Sequence, residues 1–422
     1  MAKILISPLG AGKGFKGADG TDKFLREYNN ADYKIDNTLY PKSRFVASVL
    51  YEHFKLDGII FIGTVKSMWE EVYRFFCEKN HIDMDEDYWF NLAQQIDKVN
   101  YNSSLDSLDL SKVRNVLGKR SQCILTKYGL DELELWDNFD KIINVIDSLE
   151  YQDELYLDIT HSFRSLSLFQ FLTITFINDL LSEKKIKISG VYYGMLDISK
   201  EIGYTPIVDL KSLFEMTSWI KGAYSLQNYG NGELIAELLK TQGEKELASR
   251  IEKLSQAINI NYVNSIKQRS SDLKASLNKP TNNRPFNYIK SILDDFVKKF
   301  TRSSTSESDF QLELAGWYFD NERYATGYIT LAEAIITYVC EINGKDIREK
   351  DQRDAMKKFL SRQNAHSELA KIYNKVDKIR NSVAHALLEV GRKTESYSDA
   401  ISNAKEYQKE IKKIFLTKTL GN

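Results

Sequence analysis

The chain is 422 residues long and carries 58 Lys plus Arg against 59 Asp plus Glu, a formal net charge of −1 at pH 7. That length suits two or three domains, and a content of 42% hydrophobic and 12% aromatic residues excludes a disordered chain. Near-neutral charge excludes a nucleic-acid binder that works through its overall field, so any such role must rest on a local site.

Residues 3–7 read as a buried strand, followed by a glycine-rich stretch over 10–20. Residues 43–54 carry helical spacing through Phe45, Val49, Leu50 and Phe54; 57–63 (DGIIFIG) form a second apolar strand and 67–78 a second helix. Beyond a polar stretch at 80–120 come a strand at 123–126, a helix at 133–149, a strand at 155–159, a very apolar helix at 166–181 and a strand at 186–193. Short apolar strands alternating with helices predict an α/β domain built on a parallel, doubly wound sheet. From about residue 210 strand-like runs give way to long helical patterns, interrupted at Pro280 and Pro285 and again in the Ser/Thr-rich stretch 301–308. The predicted organisation is an N-terminal α/β domain over 1–205 and an all-α domain over 206–422 with a helical insertion around 230–310.

Cys77, Cys123 and Cys340 are dispersed and odd in number, and no two of His53, His81, His161, His366 and His385 lie at metal-ligand spacing. This argues against a disulfide framework, a zinc site or a His-rich metal centre. The first residues turn polar at Ser7 without a signal-peptide core, and no apolar run reaches about 18 residues, so the expectation is a soluble cytoplasmic protein with no membrane span.

The glycine stretch (Gly10, Gly12, Gly14, Gly17) follows the first strand. It fails the Walker pattern, because Gly14 rather than Ser or Thr follows Lys13. Gly12-x-Gly14-x-x-Gly17 fits the dinucleotide fingerprint, but residues 18–36 are polar and turn-rich and do not supply the helix that would hold a pyrophosphate. Other polar groups gather at carboxyl ends of predicted strands: Thr64 and Ser67 after the second, and Asp158, Thr160, His161, Ser162 and Arg164 after 155–159. Singly, these residues suit helix capping and an Asp158–Arg164 pair; together with the glycine stretch they favour an anion-binding crevice.

Asp158-Ile-Thr-His-Ser-Phe-Arg164 resembles the D-x-T-H-G-x-R motif of the CARF domain, the Rossmann-like sensor of type III CRISPR accessory ribonucleases, with Ser162 where Gly is common. Residues 4–12 (ILISPLGAG), 60–69 (IFIGTVKSMW), 191–196 (VYYGML) and 205–210 (TPIVDL) resemble further segments of that domain. In the C-terminal half, Arg380-Asn381-x3-His385 resembles the R-x4-6-H motif of HEPN ribonucleases. Ile372, Val376, Ile379, Val383, Leu387 and Val390 form an apolar helical stripe, and at 100° per residue His385 points about 155° away from its centre.

The two resemblances imply a CARF–HEPN accessory ribonuclease of the Csm and Csx kind. Implied with them are a homodimer, a single-stranded RNA substrate and a cyclic oligoadenylate activator, tetra-adenylate favoured over hexa-adenylate. Leu9, Gly10, Gly12, Thr64, Ser67, Thr160, His161, Ser162 and Arg164 are the implied activator contacts; Arg380, Asn381 and His385 are the implied catalytic residues, with no metal or cofactor. One rival is a catalytically silent CARF sensor or regulator whose helical domain only binds RNA or a partner, with or without ring-nuclease activity on the activator. A second is a nucleotide-dependent enzyme using the glycine stretch.

Overall fold

The computed structural model describes residues 1–16, 22–27, 30–161, 164–180, 182–301, 306–363, 366–384 and 397–421, which form two compact units, Met1–Glu215 and Met216–Asn422. The first unit begins with β1 (Lys3–Leu9), a hairpin of β2 (Lys13–Lys16) and β3 (Asp22–Glu27), β4 (Ala31–Ile35) and β5 (Thr38–Ser43). There follow α1 (Val46–His53), β6 (Gly58–Gly63), α2 (Trp69–Lys79), α3 (Glu86–Lys98), α4 (Ser111–Leu117), β7 (Gln122–Leu125) and α5 (Glu132–Val145). The unit continues through β8 (Glu154–Asp158), α6 (Arg164–Leu180), β9 (Lys187–Gly194), a single turn α7 (Ser199–Ile202), β10 (Thr205–Asp209) and the start of α8 (Lys211–Tyr229), inside which the division between units falls.

Eight strands form one sheet in the order β5-β4-β10-β9-β8-β1-β6-β7. The run β9-β8-β1-β6-β7 is parallel, as the alternation of strands and helices predicts, with Ile4 opposite Gly58 and Leu155. The sheet as a whole is mixed, which corrects the expectation of a purely parallel sheet: β10 runs antiparallel to β9, β4 parallel to β10 and β5 antiparallel to β4. The central strands read as continuous apolar runs because both faces are covered. Leu5, Ile59, Phe61 and Tyr156 pack under α1–α4, whereas Ile4, Ile6, Ile60, Ile62, Leu155 and Leu157 pack under α5 and α6. Each such side chain, removed from water, contributes roughly 1.5–3 kcal/mol.

Three features depart from the sequence pattern. The stretch read only as a loop holds the β2–β3 hairpin, and the turn-rich segment after it holds β4 and β5. The polar region 80–120 contains α3, capped by the Asp85 carboxylate accepting from the Tyr88 amide at 2.9 Å, and α4.

The second unit is helical: the rest of α8, then α9 (Glu233–Thr241), α10 (Lys245–Asn259), α11 (Val263–Leu277), α12 (Arg284–Lys298), α13 (Glu307–Asp320), α14 (Tyr324–Ile342), α15 (Lys350–Arg362), α16 (Glu368–Ala384) and α17 (Tyr397–Thr417). The two sequence breaks are helix starts. Asn283 caps α12 with Pro285 in its first turn, and Ser306 caps α13. Helix α13 serves two cores: Phe310, Leu314 and Tyr318 face α9–α12, while Leu312, Ala315 and Phe319 face α14, α16 and α17. At the α13–α14 crossing a Cβ on Gly327 would lie 2.4 Å from the Phe319 ring, so the two helices approach more closely than a side chain allows. By length and composition α14 is apolar enough to cross a membrane, although two acidic residues interrupt its apolar run; 67% of that stretch is buried inside the protein, as in a core helix.

Candidate functional site

In the first unit, the chain leaves β1 towards β6 on one side and returns through β8 on the other. The carboxyl ends of β1 and β8 therefore flank the switch point, where open α/β sheets bind ligands. The groups predicted to line this crevice do converge, but several are engaged with one another. The Ser7 hydroxyl donates to Asp158 Oδ2 at 2.7 Å across the β1–β8 pair, and Asp158 Oδ1 accepts from the Thr160 amide at 2.9 Å. Asp158 is fully buried, and these two donors satisfy both of its carboxyl oxygens. Thr160 Oγ1 accepts from the Gly194 amide at 2.8 Å and thereby joins the end of β8 to the end of β9.

On the β6 side, the Ser67 hydroxyl donates to the Leu9 carbonyl at 2.6 Å and accepts from the Thr64 amide at 3.0 Å. Thr64 Oγ1 accepts from the Lys66 amide at 3.3 Å, and the Trp69 indole donates to the Thr64 carbonyl at 2.9 Å. Both Thr64 and Ser67 are buried; they fasten the β1 and β6 loops together. The Leu9 side chain is part of the core under α1–α4. Gly12 is exposed and has φ +64°, and a Cβ there would lie 1.9 Å from Met68 Sδ. Both the left-handed backbone and the approach of Met68 favour glycine at residue 12.

His161 is partly buried beside Asp158. Burial pushes its imidazole below the ordinary value of 6.5, and the Asp158 carboxylate pulls the other way. Burial, and then Asp158, also lifts the Tyr33 phenol far above its usual range, so Tyr33 is a neutral group beneath the crevice. Ser162 lies outside the described residues, and Arg164 is placed only as the first residue of α6.

In the second unit, α16 buries Leu369, Ile372, Tyr373, Val376 and Ile379 against α14, α15 and α17. The expected apolar stripe holds through Ile379. Val383 departs from it, being 39% exposed near the end of the helix. Arg380 and Asn381 are held by one residue that the sequence reading passed over. Asp377 Oδ1 accepts from Arg380 Nη2 at 2.6 Å, and Oδ2 accepts from Asn381 Nδ2 at 3.0 Å. The Tyr373 hydroxyl reaches Asp377 Oδ1 at 3.4 Å. The signal was present as an Asp three residues before the Arg and four before the Asn, spacings that bring side chains together on a helix.

Arg380 and Asp377 are only 19% and 21% exposed, and among the described residues Arg380 Nε makes no hydrogen bond. Close by, Arg353 of α15 is paired with Glu333 of α14 and donates through Nη1 to Thr337 Oγ1 and the Ile347 carbonyl, both at 3.1 Å. Burial, then Asp377, lifts the Tyr373 phenol beyond its usual range; Arg380 opposes this and Glu333 adds to it, so the two clusters share one electrostatic neighbourhood. The arrangement presents an oriented guanidinium and amide suited to a phosphate. His385 lies outside the described residues.

Residues 4–197 match the family described as CRISPR system endoribonuclease Csx1, CARF domain, and residues 215–307 match the family described as CRISPR-associated protein MJ1674, second domain. The chain is 36% identical over 419 residues to CRISPR-associated protein MJ1674 of Methanocaldococcus jannaschii; the alignment covers 94% of this chain and 64% of the relative's length. Among solved structures it is similar to Enterococcus italicus Csm6 bound to cyclic hexa-2′-fluoro-hexa-dAMP, at 14% identity and a TM-score of 0.39, over 99% of this chain and 95% of that one. The N-terminal α/β unit carries a CARF domain over residues 4–197, and the likeness to CRISPR-associated protein MJ1674 supports a CARF accessory protein of type III CRISPR systems.

Proposed function

We propose that this protein is a metal-independent endoribonuclease of the HEPN type, cutting single-stranded RNA in antiviral defence and switched on by a cyclic oligoadenylate bound at its CARF domain. The observation that carries the reading is the Asp377 clamp, which holds Arg380 and Asn381 together on α16, five and four residues before His385 in the sequence. The CARF family matched by residues 4–197 is that of an endoribonuclease, which supports the same reading.

In this reaction the RNA 2′-oxygen attacks the adjacent phosphorus and the bond to the 5′-oxygen breaks, leaving a 2′,3′-cyclic phosphate and a 5′-hydroxyl. One proton leaves the 2′-hydroxyl and one reaches the departing oxygen. His385 moves protons, because imidazole titrates near neutral pH. Arg380 stabilises charge on the phosphate oxygens, and Asn381 donates a hydrogen bond that orients it. Two copies of the chain would pair to bring two such sets to one cleft. The activator would sit at the carboxyl ends of β1, β6 and β8, with cyclic tetra-adenylate favoured and hexa-adenylate the alternative.

The test is cleavage of a labelled single-stranded RNA, in EDTA, with and without synthetic cyclic tetra- and hexa-adenylate. Cleavage should rise with one ring and vanish in Arg380→Ala and His385→Ala. Full cleavage by either variant would remove the assigned catalytic pair, and a rate indifferent to both rings would remove the switch.

A further inference from the structure

The second unit carries a groove of about 490 Å³ between the end of α12 and helices α13 and α17 that belongs to neither site described above. Its exposed cations are Lys299 after α12 and Lys405, Lys409 and Lys412 on α17; its inner wall includes the buried rings of Phe300 and Trp317. Two carboxylates, Glu313 and Asp320, face these four lysines, and Asp320 is taken by Lys405 at 2.9 Å. Lys299, Lys409 and Lys412 form no ion pair among the described residues, so the groove keeps a positive excess on a chain whose net charge is −1. Trp317 is 5% exposed, and its indole N–H has no acceptor among the described residues.

Lys405, Lys409 and Lys412 stand at i, i+4 and i+7 on one face of α17, while Ala404, Tyr407 and Ile411 hold the helix to the core. Along the axis the steps are roughly 6 and 4.5 Å, a ladder of fixed cations suited to a chain bearing one charge per residue. A row of exposed lysines at this spacing suits the phosphates of a single-stranded nucleic acid, which it can follow without reading their sequence; the buried rings form the groove's wall.

We propose that this groove binds the phosphate backbone of single-stranded RNA and guides it to the enzyme; the choice of RNA over an acidic polypeptide rests on the ribonuclease reading above. The experiment uses the full chain and a labelled 2′-O-methyl RNA, which lacks the attacking hydroxyl and so reports binding alone, beside cleavage of the unmodified RNA. Lys409→Gln/Lys412→Gln replaces two exposed side chains, and circular dichroism checks the fold.

The expected result is binding weakened about tenfold or more, with the salt slope reduced by about 1.4, or 0.7 for each lost phosphate contact on a single strand. Wild-type binding with an unchanged slope would overturn the groove while leaving the ribonuclease reading intact if cleavage persists. Weakened binding with no cleavage by the wild type would sustain the groove and overturn the ribonuclease reading. Tighter binding of poly-glutamate than of RNA, lost in the same variant, would overturn RNA as the occupant.

Discussion

Replacing Asp377 with Ala tests the clamp at its centre. The substitution removes the acceptor for Arg380 Nη2 at 2.6 Å and for Asn381 Nδ2 at 3.0 Å, and leaves a guanidinium that is only 19% exposed. A hydrogen bond to a charged group contributes about 1.5–3 kcal/mol, so a stability loss of about 2 kcal/mol is expected, well short of unfolding. The core side of α16 is untouched, since Ile372, Val376 and Ile379 do not contact the clamp through any hydrogen bond and remain packed. Arg380 therefore stays on α16 but loses its single orientation. Misplacing a catalytic group by about 1 Å costs on the order of 10²-fold, or about 2.7 kcal/mol of activation free energy. Single-turnover cleavage of labelled RNA at saturating activator should thus fall about 100-fold, with KM changed by no more than a few-fold. Asp377→Asn keeps one oxygen acceptor and should retain an intermediate rate, a rescue that a purely structural role would not require. If Asp377→Ala cleaved within about twofold of wild type while folded, Asp377 would not position the catalytic groups.

The CARF end yields three further expectations. Gly12→Ala should lower activator affinity and cost about 1–3 kcal/mol of stability by calorimetric melting, because φ +64° and the 1.9 Å approach to Met68 Sδ both oppose a Cβ; an unchanged melting temperature would contradict this. Ser67→Ala should cost about 1–3 kcal/mol in urea unfolding, since it orphans the Leu9 carbonyl and the Thr64 amide, and activator affinity of the folded fraction should hold if Ser67 is a loop fastener rather than a ligand contact. His161 has a folded pKa below the unfolded 6.5, so the unfolded state binds more protons between those values. Its contribution is therefore fully present above pH 6.5 and is lost as pH falls towards the depressed value; His161→Gln should flatten that fall, and an identical pH profile for the variant would refute the assignment.

What could be read from the sequence follows from periodicity and local chemistry. The strands around Ile4, Ile60 and Leu155 are apolar on both faces, a pattern that only a covered parallel sheet produces. The strands β4 and β5 lack a continuous apolar run: ADYKI alternates buried with exposed and charged positions, and TLYPKS, on the edge of the sheet, carries exposed, charged and proline positions. The helices within 80–120 do not stand out in the sequence because only Leu92, Ala93 and Ile96 of α3 are buried, and its start is set by the Asp85 side chain. Asp377 escaped notice because nothing about a single carboxylate on a polar helix face marks it until its two partners are seen to converge on it.

The CARF motif itself divides in an instructive way. Asp158, the Ser67 and Thr64 hydroxyls and the Leu9 side chain are all buried, and their hydrogen bonds lie within the chain. They are recognisable in sequence because a buried carboxylate and a buried hydroxyl pair tolerate few alternatives. The groups left accessible at the same strand ends are the exposed Ala11–Gly12 backbone and the partly exposed Thr160–His161 stretch. A ligand at this crevice would therefore meet main chain and loop residues whose positions the buried motif dictates. On that logic, substitutions of buried motif residues should reduce stability first and affinity as a consequence. Substitutions at 11 and 161 are where affinity can change at the least cost to the fold, whereas a side chain at 12 moves both together.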